Sequence, residues 1–381
     1  MRVLHLRRAF LKPTETFIFN QIKHFDQANS IILARDTENE HAFAGLDVRA
    51  YRIQKTGLVH WLSDMKYRTI WQMSVHERAF YVRQVKQVRP DILHAHFAVD
   101  AGYFLPLTHR IPIPLVVSCY GYDITKFPRQ FFPIGNLLLT RVWQRADLVL
   151  AMSNDMRKDL IQLGCPPSKI KVHYYGADLV RFSFVEREFM PERLTVLFVG
   201  SIDVEKKGVI YLLEAFAYIA RQRPNVRLRL VGRGASSMQS LVSRLNLEKS
   251  VSFAGFIEHD HLPKEYASAH IFCHPSVTTK AGDKEGLPGT IVEAMATGLP
   301  IVSTNHAGIP EMVENGTHGL IVGERDVNAI AQSLLMLIDN PTLRLSLGRQ
   351  AAKYAQERAN AAYLATHRES LYSEAMTLRK R

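Results

Sequence analysis

Two doubly wound α/β domains in tandem are predicted by three features of the 381-residue sequence. Short apolar, β-branched runs alternate with stretches of helical period, the mark of parallel sheets covered by helices on both faces. The alternation lapses once, in the charged and irregular residues 186–191, and then begins again. The chain is also longer than one hydrophobic core usually takes. The expected organisation is a first domain over 1–185, a second over 191–355, and a helical segment over 356–381 that returns to the first.

The first series opens with a buried strand at 3–6. Thr14 or Thr16 is placed to cap a helix whose Phe17, Ile18, Ile22 and Phe25 form one stripe. A strand follows at 31–34, and the chain is then mainly helical up to Arg89, where Pro90 stops it. Strands at 91–94 and 115–118, a helix near 137–145 and a strand at 148–152 come next. Ser153 caps a helix that Gly164 closes, and a strand at 170–173 ends the series.

The second series runs strand 195–199, helix 209–222, strand 226–231, helix 238–245, strand 250–253, helix 262–269 and strand 271–273. It leads into DKEGLPGTIVEAMATGLPIVSTNHAGIPE at 283–311. There Gly286, Pro288 and Gly289 enforce a tight loop, and Ile291, Val292 and Met295 share one face of a helix that starts near Thr290. Gly298 and Pro300 end that helix before a strand at 301–303. A strand at 320–322, a helix from Asp326 and a last helix near 361–376 complete the chain.

Composition narrows the function. The three cysteines, Cys119, Cys165 and Cys273, match no metal-ligand spacing and point to a reducing compartment. Arg7 and Arg8 stand where a signal peptide is apolar, and no stretch approaches the ~18 to 20 apolar residues of a membrane span. A cytoplasmic protein is expected, peripheral at the inner face of the cell membrane.

The net charge of +12 is concentrated. Residues 51–90 hold Arg52, Lys55, Lys66, Arg68, Arg78, Arg83, Lys86 and Arg89 against only Asp64 and Glu77, interleaved with Trp61, Tyr67, Trp71, Phe80 and Tyr81. Such a mixture suits an anionic membrane surface. The plainer reading is a solvated helix face with its aromatics in the core. No recognition-helix or zinc-finger pattern is present, so nucleic acid is not expected as a partner.

Chemistry centres on the loop before Thr290. The first turn of a helix offers unpaired N–H groups and positive dipole charge, a seat for phosphate. Glu285 and Glu293 flank it; read singly, they are two glutamates beside a capped loop. Lys207, just before Gly208 and a helix, offers a point charge. His94 and His96 share one face of a strand, but two ligands are too few for a zinc site, so none is expected.

The strings EGLPGTIVEAMATGLPIVST and AGIPEMV closely resemble the donor-binding segment of the family-4 retaining glycosyltransferases, which have the GT-B fold. The resemblance implies that Glu285 contacts donor-sugar hydroxyls and Glu293 holds the nucleotide ribose. The backbone from Gly286 through Leu287, Pro288 and Gly289 to Thr290 would approach the diphosphate with its N–H groups, and Lys207 would complete the clamp. Ser201 stands where the family usually has arginine, and Arg233 where an acid is common. The string HAHF at 94–97 and Cys119-Tyr120-Gly121-Tyr122-Asp123 resemble cleft-facing segments, Tyr120 replacing a histidine found in many relatives; this adds His96 and Tyr120 to the catalytic candidates. VHYYGADLVRF at 172–182 resembles the inter-domain segment, and Thr14-Glu15-Thr16-Phe17 a first-loop string of some polysaccharide enzymes.

No Asp-x-Asp occurs, so a metal-independent reaction without cofactor is implied. The implied function is transfer of a sugar, with retention, from a nucleotide-diphosphate sugar to a lipid-linked or oligosaccharide acceptor in cell-surface polysaccharide synthesis. UDP is favoured over GDP as the carrier. A nucleotide-sugar epimerase of the same fold, consuming donor without acceptor, and a non-catalytic sugar-nucleotide-binding subunit are the alternatives.

Overall fold

The computed structural model describes residues 1–10, 16–37, 45–51 and 73–380. They form two units, one of Met1–Tyr174 with Ala362–Arg381 and the other of Tyr175–Ala361.

Unit 1 is built on seven parallel strands: β1 (Arg2–Phe10), β2 (Asn29–Thr37), β3 (Asp47–Ala50), β4 (Ile92–His96), β5 (Leu115–Ser118), β6 (Leu148–Ala151) and β7 (Ile170–Val172). Their order is β3-β2-β1-β4-β5-β6-β7, so the winding reverses between β1 and β4. Unit 2 has β8 (Leu194–Val199), β9 (Val226–Val231), β10 (Val251–Gly255), β11 (Ile271–His274), β12 (Ile301–Thr304) and β13 (Gly319–Val322). There the order β10-β9-β8-β11-β12-β13 reverses between β8 and β11. Both sheets are parallel and covered on both faces, which is why strands such as Leu148–Ala151 are continuously apolar and wholly buried. The core of unit 2 joins Val196, Phe198 and Leu228 from the sheet to Leu212 and Phe216 of the helix Val209–Gln222 and Leu334 of the helix Val327–Asp339.

Several boundaries depart from the sequence expectation. β1 continues past residue 6 to Phe10, because Arg7 and Arg8 are neutralised by Asp100 at 2.6 and 2.5 Å. The helix Ala98–Thr108 was not anticipated; nearly all its residues are buried, so it has no polar face to set a helical period. The division into units falls at Tyr174 rather than in 186–191. Residues beyond it are tied to unit 2: the Phe182 ring packs on Tyr266 and His259, and Arg187 donates to the carbonyls of Ala269, Thr297 and Tyr266. The C-terminal helix Ala361–Lys380 returns to unit 1, where Leu371, Tyr372 and Ala375 join Val3, Ile92, Val116 and Leu148.

Of the basic aromatic stretch, the helix Val75–Val88 is described. Ser74 and Glu77 form a capping box at its start, and the buried Glu77 pairs with Arg35 at 2.9 Å. Tyr81 is in the core and Phe80 half-buried. Arg52, Lys55, Trp61, Asp64, Lys66, Tyr67, Arg68 and Trp71 lie outside the described residues, as do Thr14 and Glu15. All three cysteines are free and buried. No helix among the described residues is long and apolar enough to cross a membrane.

Candidate active site

In unit 2 the loops that follow β8 and β11 meet at the switch in strand order, where open α/β sheets bind ligands. After β8 a single 3-10 turn, Glu205–Lys207, presents two lysines. Lys207 Nζ lies 3.0 Å from Glu285 Oε1, inside ion-pair range though off the line of a good hydrogen bond. Lys206 Nζ is 3.3 Å from Asp283 Oδ1 and 4.0 Å from Glu285 Oε1. Burial alone would raise the Glu285 carboxyl, but Lys207 and Lys206 outweigh it and hold its pKa at about 2. Glu285 is therefore a permanent acceptor at neutral pH.

The loop carrying Glu285 is fixed from below. Its amide donates to His306 Nε2 at 3.1 Å, and His306 Nδ1 donates to Glu324 Oε1 at 2.6 Å. The Gly286 carbonyl accepts the Gly308 N–H at 3.1 Å. Gly286, Leu287 and Pro288 are buried, and the helix Gly289–Ala296 starts without a side-chain cap. Thr290 Oγ1, in its first turn, is buried without a hydrogen-bond partner.

His274, which no sequence motif singles out, ends the buried strand β11. Its ring stacks on Phe198 at 5.1 Å, and Nδ1 is 2.9 Å from Ser276 Oγ. Nε2 is buried without a hydrogen-bond partner, beside Gly200. Burial, helped by the charge of Lys207, lowers its pKa to about 3, so the ring is neutral.

Glu293 sits farther along the helix, with both carboxylate oxygens engaged. Tyr266 OH donates to Oε2 at 2.8 Å, and His259 Nε2 to Oε1 at 3.0 Å. Arg181 donates to His259 Nδ1 at 2.8 Å, which fixes the tautomer with its proton on Nε2. Protein groups thus already partner the carboxylate that the resemblance assigns to the nucleotide ribose. Ser201 is half-buried after β8. Arg233 is not drawn to Glu285; its guanidinium lies 4.5 Å over the Phe256 ring. The turns after β8 and β9 nevertheless touch, since a Cβ on Gly232 would lie 1.8 Å from the Gly200 carbonyl oxygen.

Unit 1 gathers His96 and Tyr120 with histidines that sequence spacing did not connect. The register of β1 on β4 sets His5 opposite His94, giving three histidines whose ring nitrogens lie within 4.8 Å. The two-histidine reading is corrected to three, because register is a non-local property. All six nitrogens have partners. His5 meets His96 at 3.0 Å and Ser30 at 3.2 Å; His94 meets Tyr372 at 2.7 Å and Ser118 at 2.8 Å; His96 meets Tyr120 OH at 2.8 Å. A cation would have to displace these bonds. Burial, reinforced by neighbouring positive charge, lowers all three pKa values, that of His5 to about 3. His96 is completely buried, and its Nδ1 meets the hydroxyl of Tyr120, which is pushed up by burial and is no base.

Residues 193–340 match the family described as "Glycosyl transferases group 1", and residues 14–181 the one described as "Glycosyltransferase Family 4". WcaL of Salmonella typhimurium, assigned by name to colanic acid biosynthesis as a glycosyltransferase, is 36% identical over 404 residues, which span 94% of this chain and 96% of that protein. The chain belongs to the family-4 glycosyltransferases. This glycosyltransferase is also 27% identical to the amylovoran biosynthesis glycosyltransferase AmsK of Erwinia amylovora, over 88% of this chain and 90% of AmsK. Its fold is that of HepE of Anabaena, solved in complex with UDP-glucose, with a TM-score of 0.79 at 21% identity over 98% of this chain and 100% of that one. Sucrose-phosphate synthase from Thermosynechococcus elongatus matches with a TM-score of 0.79 at 19% identity, over 99% and 100% of the two chains. At such identities the two structures speak for the GT-B architecture alone.

Within this glycosyltransferase, Lys207, Glu285 and the residues from Gly286 to Thr290 are therefore brought to one place in unit 2. Glu293 stands on the same helix with its own partners. Tyr120 and His96 are joined to each other in unit 1. The additions that sequence reasoning missed are His274, Tyr266 and His259 in unit 2 and His5 in unit 1.

Proposed function

We propose that the enzyme transfers a sugar, with retention of anomeric configuration, from a UDP-sugar to a lipid-linked or oligosaccharide acceptor in exopolysaccharide synthesis. The observation that carries the donor side is the Lys207–Glu285 pair beside an uncapped helix start at the strand-order switch. The names of WcaL and AmsK support the pathway, and the resemblance to the family favours the uridine carrier.

In this reading Lys207 exchanges its pairing with Glu285 for the donor diphosphate and neutralises charge on the leaving group, with N–H groups of the helix Gly289–Ala296 as fixed dipoles. Released, the ionised Glu285 accepts hydroxyls of the donor sugar. His274 Nε2 supplies a neutral polar contact beside Gly200, next to Ser201, where a guanidinium is missing. Glu293, oriented by Tyr266 and His259, uses its remaining lone pairs for ribose hydroxyls. Tyr120, positioned by His96, is a hydrogen-bond donor on the acceptor unit. Charge handled by lysine and backbone dipoles leaves no role for a divalent ion.

Thermal shift with UDP- and GDP-sugars tests the donor assignment. A ligand that binds only the folded protein at 100 times its Kd adds about 2.7 kcal/mol of stability. UDP-sugars should raise Tm most. Lys207→Ala should stay folded, with a Tm somewhat lowered by the lost pairing to Glu285, yet lose that rise and turn over at least about tenfold more slowly. Wild-type turnover in the Lys207→Ala variant would remove the clamp from the mechanism.

A further inference from the structure

The helix Ile134–Arg145 of unit 1 carries more apolar surface than its packing uses. Its inner side is complete, with Gly135, Leu139, Val142 and Trp143 buried. Leu138 closes over the helix Ala98–Thr108, where a Cβ on Gly102 would lie 2.8 Å from Leu138 Cδ2. Yet Ile134 and Leu137 are 74% and 56% exposed, and Phe132, two residues before the helix, is 73% exposed. Ile134, Leu137 and Arg141 fall at i, i+3 and i+7, one stripe along the helix.

The charge along this segment has one sign. Arg129 and Arg141 are exposed and Lys126 half-buried, and no acidic residue occurs from 124 to 146. Single exposed hydrophobic residues are ordinary, but three large ones within six positions, flanked by cations, make a mixed apolar and basic face. Such a face fits a surface that offers anionic headgroups above an acyl layer.

We propose that this face docks the enzyme on an anionic lipid bilayer. Phe132, Ile134 and Leu137 enter the boundary between headgroups and acyl chains, while Lys126, Arg129 and Arg141 pair with lipid phosphates. The inference gives the lipid-linked acceptor of the proposed function a place of encounter and rests on that reading for its purpose, though not for its physics. The side chains protrude from a helix start rather than line a groove, which suits insertion.

The test is sedimentation of the whole protein with vesicles of phosphatidylcholine alone or mixed with phosphatidylglycerol. Wild type should sediment with the anionic vesicles, less so at high salt, and remain in solution with the neutral ones. The triple variant F132S/I134S/L137S and the double variant R129E/R141E should each lose about tenfold or more in partitioning, with unchanged Tm. Variants that sediment like wild type would overturn the proposal. So would a dimer in solution that the triple variant dissolves, since the face would then belong to a second copy. UDP-induced thermal shift, measured on the same samples, reports separately on the transferase reading: its loss in wild type would sink that reading and leave the membrane result standing.

Discussion

Glu293 shows how much of a binding residue is decided by its supports. Its two hydrogen bonds, from Tyr266 at 2.8 Å and His259 at 3.0 Å, hold the carboxylate in one orientation while leaving lone pairs for a ligand. Two variants separate the roles. Glu293→Gln should weaken UDP binding by about 1.5 to 3 kcal/mol, the range for a hydrogen bond to a charged group. Tyr266→Phe keeps the charge and loses only a support, so it should cost about 1 to 2 kcal/mol of stability and weaken UDP less than the glutamate change. Calorimetric titration of UDP and urea melts give both quantities. Equal UDP affinity in wild type and Glu293→Gln would make Glu293 purely structural.

Among elements, the turn holding Lys207 depends on its neighbour strand. Gly208 has φ 69°, and a Cβ there would lie 1.8 Å from the carbonyl oxygen of Pro275, just after β11. Left-handed strain and a backbone clash act together, so Gly208→Ala should destabilise unit 2 by about 2 to 4 kcal/mol and move Lys207 away from Glu285. Urea unfolding and UDP titration would show both losses; a variant with native stability would mean that the two loops are not in register as described. The same elements show what a sequence reveals. The helix Val209–Gln222 and the strand Val226–Val231 end where periodicity places them, since their signals are local. So is the loop and helix start at 283–290. The buried helix Ala98–Thr108 left no period to read. His5 beside His96, His274 against Phe198, and the attachment of Arg187 to unit 2 all join residues distant in sequence. Pattern alone does not pair them.

The whole molecule carries a pH dependence written in its buried groups. Burial lowers the pKa of His5, His94, His96 and His173 in unit 1 and of His270 and His274 in unit 2, to about 3 for His5 and His274 and about 4 for His270. An unfolded histidine titrates near 6.5, so below that pH the unfolded chain binds more protons than the folded one. Stability is then full above about pH 6.5 and falls as pH drops toward the folded values. For one histidine lowered to about 3 the loss at pH 5 is about 2 kcal/mol. Glu285 adds in the same direction at lower pH: its folded pKa of about 2 contributes stability above about 4.5 that disappears on further acidification. At the alkaline end the buried thiols Cys119, Cys165 and Cys273 are raised, so the unfolded chain gives up protons first and stability declines above about pH 8.5. A plateau between about pH 7 and 8.5 follows, with an acid side steep enough to report uptake of several protons. Both units contribute to that side, so both should lose stability on going to pH 5. Urea unfolding at pH 8, 6 and 5, followed by tryptophan fluorescence and far-UV circular dichroism, checks this. Stability unchanged from pH 8 to 5 would mean that these histidines are solvated or partnered by acids in the folded protein, against the neutral chain from Ser30 through His5 and His96 to Tyr120.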